Sequence, residues 1–320
     1  MTRLGLPDID DRAAYERHFR SPAWARAASV LCARHGLGAE PLTRSPQGEN
    51  VIFFAGSRAV VKIFAPYRDN FARERAALRF VRGRLPIETP EILHEGEIEG
   101  WPYLFISRLA GEASREAWAR VPRRDRFEIV TLVGAALREL HEHEAPLSDP
   151  ALNRDWAGLV RRQARGAVER QRACGVNAEV LARLPSYVEE RIGLLPADER
   201  QVFLHGDVHA GNLLLEEEGG RWRVRGLLDF GDSFCGARDY EFVAPGVLMV
   251  QGDRELQRAL LVAYGYRESQ LDATLRARLM LLTVLYECSD LRKYARRLAP
   301  EAEGFTLDRL ERAVWAFAAD

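Results

Sequence analysis

Leu204-His205-Gly206-Asp207-Val208-His209-Ala210-Gly211-Asn212-Leu213-Leu214, answered one hairpin-length insertion later by Leu227-Leu228-Asp229-Phe230-Gly231-Asp232, is the stretch on which the reading of this 320-residue chain turns. Asp207 and Asn212 flank a tight loop in which Gly206 and Gly211 relieve the turn, so both side chains can face one pocket. Leu213 to Leu215, a Glu-Glu-Glu-Gly-Gly turn and the alternating run from Trp222 to Leu228 read as a β-hairpin. That hairpin returns Asp229 to the side of Asn212. Such a trio suits phosphoryl transfer: Asp207 accepts the proton of an attacking hydroxyl, while Asn212 and Asp229 offer oxygens to magnesium on nucleotide phosphates. An isolated Asp-Phe-Gly carries little weight, and the joint placement on a loop and a strand end carries much more.

Upstream, Val60-Val61-Lys62-Ile63-Phe64 is an apolar strand with a single charge in it. Of 46 basic residues only Lys62 and Lys293 are lysine, so lysine at this point suggests a need for a compact ammonium rather than a guanidinium fork. The bland alternative is a strand-edge lysine that snorkels to solvent. Asp69 to Arg82 has helical spacing, with Phe71, Leu78 and Val81 on one face. Glu74, near its start, is the expected partner that orients Lys62; its bland alternative is a solvated carboxylate paired with Arg75 or Arg79. Between Pro41 and Asn50 the segment Ser45-Pro46-Gln47-Gly48-Glu49-Asn50 stands where a phosphate-covering loop belongs, with one glycine instead of a triplet.

Together these residues resemble the aminoglycoside phosphotransferase family, antibiotic-modifying enzymes with a protein-kinase-like fold. Arg73-Glu74, the run Trp101 to Gly111, the helix ending Leu137-Arg138-Glu139-Leu140-His141, and Arg238-Asp239-Tyr240 extend the resemblance over roughly residues 40–290. Within the family the layout is most similar to the hygromycin B phosphotransferases. The resemblance implies that Asp207 is the catalytic carboxylate, that Asn212 and Asp229 hold Mg2+, and that Lys62, supported by Glu74, meets the phosphates of ATP or GTP. It implies a hinge from Ile106 to Leu109, with Ser107 and Leu109 at the adenine, and a structural Asp239. Gly206 stands where protein kinases carry the arginine that reads an activation-loop phosphate, and Ala244-Pro245-Gly246 departs from Ala-Pro-Glu. Both departures argue against a regulated protein kinase, and the missing glycine triplet leaves ATP and GTP both open.

The expected architecture is α+β and kinase-like: strands first, helices later. Residues 1–106 comprise a helical extension and a nucleotide-binding lobe, and residues 107–320 a catalytic and substrate-binding lobe. The extension reads as helical through residue 38, with Trp24, Ala27, Ala28 and Leu31 in register. Later helices are expected over 123–143, 156–175, 178–194, 253–264, 270–297 and 306–318. A net charge of −1 gives no general pull towards nucleic acid. No apolar run reaches the length of a membrane span, and Met1 to Arg12 is too polar for a signal peptide. Cysteines 32, 174, 235 and 288 have no metal or disulfide spacing and read as free thiols in a reducing cytoplasm. A monomer is expected.

His141 and His143 invite a metal reading, but at the end of a long helix they are read as histidines favoured by its dipole. His209 is read as loop scaffolding and Asp232 as a neighbour of the metal site. A cationic antibiotic acceptor needs acidic contacts, for which Glu241, Glu287 and Asp290 are candidates, the last two on one helix face. The same chemistry on a sugar, a choline-like amine or a macrolide is the runner-up reading. A binding module that keeps the fold without the chemistry is the third, and intact Lys62, Asp207, Asn212 and Asp229 weigh against it.

Overall fold

The protein is described by a computed structural model over residues 4–46, 49–113, 115–196, 199–298 and 305–318. Gly48, the one glycine of the expected phosphate loop, lies outside the described residues. The extension is helical, as two helices, α1 (Arg12–His18) and α2 (Ala23–Arg34). Asp11 caps α1 by accepting from the Ala14 amide at 2.7 Å, and the chain turns through Ser21-Pro22 before α2. Strands β1 (Leu42–Arg44), β2 (Val51–Ala55) and β3 (Ala59–Ile63) lead to helix α3 (Asn70–Val81), then β4 (Ile92–Ile98) and β5 (Trp101–Ser107). The five strands pair antiparallel in the order β1-β2-β3-β5-β4.

The period-2 pattern of these strands decides what each face does. Val51, Phe53, Ala59, Val61, Ile63 and Phe105 point outward and are covered by Trp24, Ala27, Ala28 and Leu31 of α2. Trp24 meets Trp101 edge-on, with ring centroids 4.5 Å apart. The opposite face carries Ile52, Phe54, Val60, Lys62 and Ile106 and lines the cleft.

The larger lobe contains α4 (Arg115–Arg120), α5 (Arg123–Glu142), α6 (Trp156–Ala173), α7 (Ala178–Ile192), β6 (Val202–Leu204), β7 (Leu213–Glu218), β8 (Arg221–Leu227) and β9 (Phe234–Gly236). A 3-10 turn (Arg238–Phe242), α8 (Val243–Pro245) and a π-helical stretch (Gly246–Val250) follow, then α9 (Arg254–Tyr264). The described chain closes with α10 (Ala273–Leu285), α11 (Leu291–Leu298) and α12 (Leu307–Val314). The hairpin is there, but its turn is only Gly219-Gly220, both at positive φ (59° and 73°), and the three glutamates belong to β7.

One helix expected over 270–297 is instead two. α10 stops at Leu285, and fully buried Gln171 substitutes for the missing helical bonds. Its Nε2 donates to the Ser289 carbonyl at 3.1 Å, and its Oε1 accepts from the Leu291 amide at 3.0 Å. Asp290 then caps α11 through the Lys293 amide at 2.8 Å. The break aims Tyr286, Asp290 and Lys293 at the cleft. Among the described residues no helix is long and apolar enough to cross a membrane, and all four cysteines are unpaired.

Candidate active site

Lys62 on β3 is buried and its Nζ lies 2.6 and 2.7 Å from the two carboxylate oxygens of Glu74 on α3. It also reaches Asp229 Oδ1 at 3.3 Å. Burial alone would lower the Lys62 pKa, but Asp229 and Glu74 outweigh it and hold the ammonium above its ordinary value. The snorkelling and solvated-helix alternatives for this pair are thereby removed. Lys62 in turn pulls the Asp229 carboxyl below its ordinary value against the effect of burial.

Asp229 sits at φ +64°, a left-handed conformation uncommon for a non-glycine residue and costing on the order of 1–3 kcal/mol. It sits just beyond the end of β8, with its carboxylate towards Lys62. Gly206 is at φ +81°, and a Cβ there would stand 2.9 Å from the Asp232 carbonyl oxygen. Glycine at 206 is therefore demanded by both backbone conformation and close approach. An arginine at this position would break the loop.

The loop itself is cross-braced. Asn212 Nδ2 donates to the Asp207 carbonyl at 2.9 Å and to Asp207 Oδ2 at 3.1 Å. This turns the Asn212 side-chain oxygen away from Asp207. His205 accepts from the Asp207 amide at Nδ1 (3.2 Å), which leaves Nε2–H to donate to the Leu228 carbonyl at 3.0 Å. His209 Nδ1 accepts from the Gly211 amide at 2.9 Å, in keeping with its reading as scaffolding. Its Nε2 is 3.4 Å from Asp207 Oδ2. Tyr286, missed in the sequence because it lay inside an expected helix, directs its hydroxyl at Asp207 Oδ1, 3.3 Å away.

Two cavities meet at this cluster. One, of about 310 Å³, is mostly apolar: Ile52, Phe54, Val60, Leu214 and Leu228 line it, together with Lys62, Asn212 and Asp229. The hinge residues Ile106 to Leu109 form its wall. The Ser107 amide is spent on the Glu91 carbonyl (2.8 Å) and the Arg108 amide on the Arg58 carbonyl (3.1 Å). Among the described residues the Leu109 amide has no such partner, so Leu109 rather than Ser107 can offer an N–H to a planar ligand edge. The second cavity, of about 300 Å³, opens on the other side of Lys62 and Asp229 and is lined by Glu49, Asp207, Asp232 and Asp290 among others. Burial and the neighbouring charges of Asp207 and Asp229 push the Asp232 pKa up.

Two expected placements are corrected. Glu241 is fully buried and faces no acceptor; its carboxylate takes the amides of His205 (2.7 Å) and Gly206 (3.0 Å) and so fixes the loop that carries Asp207. Glu287 and Asp290 do not share a helix face, because the chain leaves helix between α10 and α11; of the two, only Asp290 lines the acidic cavity. His141 stands in the last turn of α5, as expected, and is buried there, its Nδ1 2.9 Å from the Tyr264 hydroxyl and its Nε2 3.5 Å from Glu241. Asp239 is buried and structural, held by the Tyr266 hydroxyl and by Arg278 at 2.5 Å. Among the described residues no group of three His, Cys, Asp or Glu side chains is arranged to hold a metal alone. Asn212 and Asp229 instead offer two hard oxygens, a set that fits an ion completing its shell with phosphate and water.

The family model described as the phosphotransferase enzyme family matches residues 13–281. An aminoglycoside 3'-phosphotransferase from Niallia circulans is 28% identical over 204 residues, covering 60% of this chain and 70% of that protein. Among solved structures, the GDP complex of wild-type aminoglycoside 2'-phosphotransferase-IIIa matches with a TM-score of 0.68 at 15% identity, covering 91% of this chain and 98% of that one. The ternary complex of streptomycin, ATP and APH(2")-IIa matches with a TM-score of 0.57 at 18% identity, covering 82% and 91%. The kinase-like two-lobed fold expected from the sequence is the fold these structures share.

Proposed function

The chain belongs to the phosphotransferase enzyme family, and from that premise we propose that it transfers the terminal phosphoryl group of ATP or GTP to a hydroxyl of an aminoglycoside-type antibiotic, a reaction that confers resistance. The observation that carries this reading is the meeting of an apolar cavity and an acid-lined cavity at Lys62 and Asp229, with Asp207 on the acidic side. In this reading the nucleotide base lies against Ile52, Phe54 and Leu228, with the Leu109 amide at its edge. Lys62, oriented by Glu74, neutralises the phosphates. Asn212 and Asp229 hold Mg2+, which when bound draws charge from the phosphate oxygens. Asp207, braced by Asn212, accepts the acceptor's proton as the hydroxyl attacks. Asp232 and Asp290 give an ammonium-bearing acceptor favourable neighbours. The Niallia circulans relative and the kanamycin, gentamicin and streptomycin complexes of similar folds support the acceptor class.

The test is product formation by the purified protein with ATP and with GTP over a panel containing kanamycin, streptomycin, hygromycin B, choline and simple sugars. Phosphorylated aminoglycoside, absent with Asp207→Asn, is the expected result. Phosphorylation confined to choline or sugars would make the metabolic-kinase reading the right one.

A further inference from the structure

Helix α3 buries a stripe of Ala77, Leu78 and Val81, and positions 73 and 74 continue that stripe one turn towards the N-terminus. Arginine and glutamate stand there, and both are buried. A buried charge is costly unless it is paired and hydrogen-bonded. Glu74 is paired within its own lobe by Lys62. Arg73 is served less well: Asp232, the one carboxylate within ion-pair reach among the described residues, is 3.8 Å from its Nη1. Its single side-chain hydrogen bond among those residues crosses to the larger lobe, from Nη1 to the Gly231 carbonyl at 3.0 Å. Its Nε is buried with no acceptor. Burial, and after it the charge of Arg154, lower the Arg73 pKa, and Asp232 opposes them. Packing alone does not explain a guanidinium at this position.

The one bond it makes closes a ring. A Cβ on Gly231 would stand 3.6 Å from Asp229 Oδ1 and 3.7 Å from Glu74 Oε2, so Gly231 backs directly on the two carboxylates that hold Lys62. The Gly231 amide also helps to hold the Asp229 carboxyl below its ordinary value, after the larger effect of Lys62. Contacts therefore run from Arg73 to the Gly231 carbonyl and through Gly231 to Asp229. From Asp229 they reach Lys62 Nζ at 3.3 Å, then Glu74 at 2.6 Å, and Glu74 adjoins Arg73 on α3. Lys62–Asp229 and Arg73–Gly231 both bridge the lobes. The first joins groups on which a nucleotide and its magnesium draw; the second stays free of both. Asp229 at φ +64° keeps that conformation only where its surroundings fix it, and Arg73 grips the chain two residues away.

We infer that Arg73 is a positioning residue for the magnesium site: by gripping the Gly231 carbonyl it keeps the Asp229 carboxylate turned towards the metal and the phosphates, without touching nucleotide, metal or acceptor itself. The inference rests on the phosphotransferase reading of the cleft and adds to it what holds the strained metal ligand in place. The bond is charge-assisted, and it ties Asp229 to the same helix that carries Glu74, so Lys62 and Asp229 are set by one element.

Calorimetric titration with ADP, once with Mg2+ and once with EDTA, tests it on wild type and Arg73→Met. Methionine keeps an unbranched apolar stem in the α3 stripe and removes every donor. Affinity for ADP with Mg2+ should fall about tenfold, in line with one lost charge-assisted hydrogen bond, while affinity in EDTA stays within about twofold of wild type. A residue that only supported packing would lose affinity in both titrations. Equal loss with and without magnesium, or no loss in either, overturns the inference. Thermal unfolding shows whether the methionine variant folds. If it does not, Arg73→Lys, which keeps the charge without the guanidinium fork, takes its place: loss confined to the magnesium titration supports the inference, and any other result overturns it. Magnesium-dependent ADP binding by wild type reads the nucleotide site itself, so failure of that reading and failure of the Arg73 inference are distinguishable.

Discussion

The two cavities that meet at Lys62 and Asp229 are built by opposite means. The apolar one is walled largely by alternate residues of β2 and β3 and by the end of β5, since every second side chain faces the cleft. The acidic one is assembled from a loop, a chain break between two helices and a helix end, contributing Asp207, Tyr286, Asp290 and Lys293. Regular pairing fixes the first; single hydrogen bonds from buried side chains, Gln171 and Glu241 above all, fix the second. Substitutions on the strand-built side should therefore disturb nucleotide handling, and those on the loop-built side should disturb turnover at unchanged nucleotide affinity.

The widest separation should come from Asp207→Asn. Nucleotide binding should stay near wild type while kcat drops by about 10²–10⁴, the usual contribution of a general base. Direct nucleotide titration beside steady-state rates measures both; full turnover with saturating acceptor would remove Asp207 from the base role. Next is Lys62→Arg, on the shared border. The ammonium is buried and held by both Glu74 oxygens at 2.6 and 2.7 Å, a grip that a longer planar cation would shift. A misplacement on the order of 1 Å costs about 10² in rate, and nucleotide affinity should fall with it. Near-normal kinetics with arginine at 62 would break the idea that pairing geometry governs this side.

The same contrast explains what the sequence could tell. That Asp207, Asn212 and Asp229 meet was legible because a short loop and one hairpin join them, and Lys62 with Glu74 stood out by a lone lysine in an apolar strand and by the family resemblance. The two-lobed α+β order was legible from strand alternation and helical spacing. The acceptor wall was not. Nothing local marks Tyr286 as the end of a helix, since the run from Ala273 to Leu285 continues into residues with the same spacing; the break is made by Gln171, more than a hundred residues away. Glu241 looks like a surface carboxylate until tertiary packing closes the His205 and Gly206 amides over it. Long-range hydrogen bonds of this kind leave no periodic trace.

Glu241→Gln probes that dependence. Glutamine retains one oxygen for two buried amides, so one loses its acceptor, at a cost of about 1–3 kcal/mol. Denaturant unfolding should report the loss, and kcat should fall more than nucleotide affinity because the loop beneath Asp207 loosens. Unchanged stability would mean that the loop is fixed by its own turns.

Tyr286→Phe is the smallest and most discriminating change. The phenol is buried, and burial together with the nearby Asp207 charge holds it protonated far above its ordinary range, so it acts as a donor. Its hydroxyl reaches Asp207 Oδ1 at 3.3 Å, while Asn212 holds Oδ2 at 3.1 Å. With both oxygens held, the carboxylate cannot rotate; with Tyr286 gone, it pivots about the Asn212 bond. A hydrogen bond of this kind contributes about 0.5–1.5 kcal/mol, so kcat should fall by roughly three- to tenfold. Phenylalanine keeps the ring against Tyr240, whose centroid is 5.9 Å away, so stability and nucleotide affinity should hold. An opposing effect exists, because the tyrosine occupies the oxygen that an acceptor hydroxyl must reach, and its removal frees that oxygen. At 3.3 Å the bond is long enough for an acceptor to displace it without a large penalty, so orientation wins over competition. A rise in kcat on Tyr286→Phe would reverse that ranking and make the tyrosine a gate on Asp207 instead of a brace.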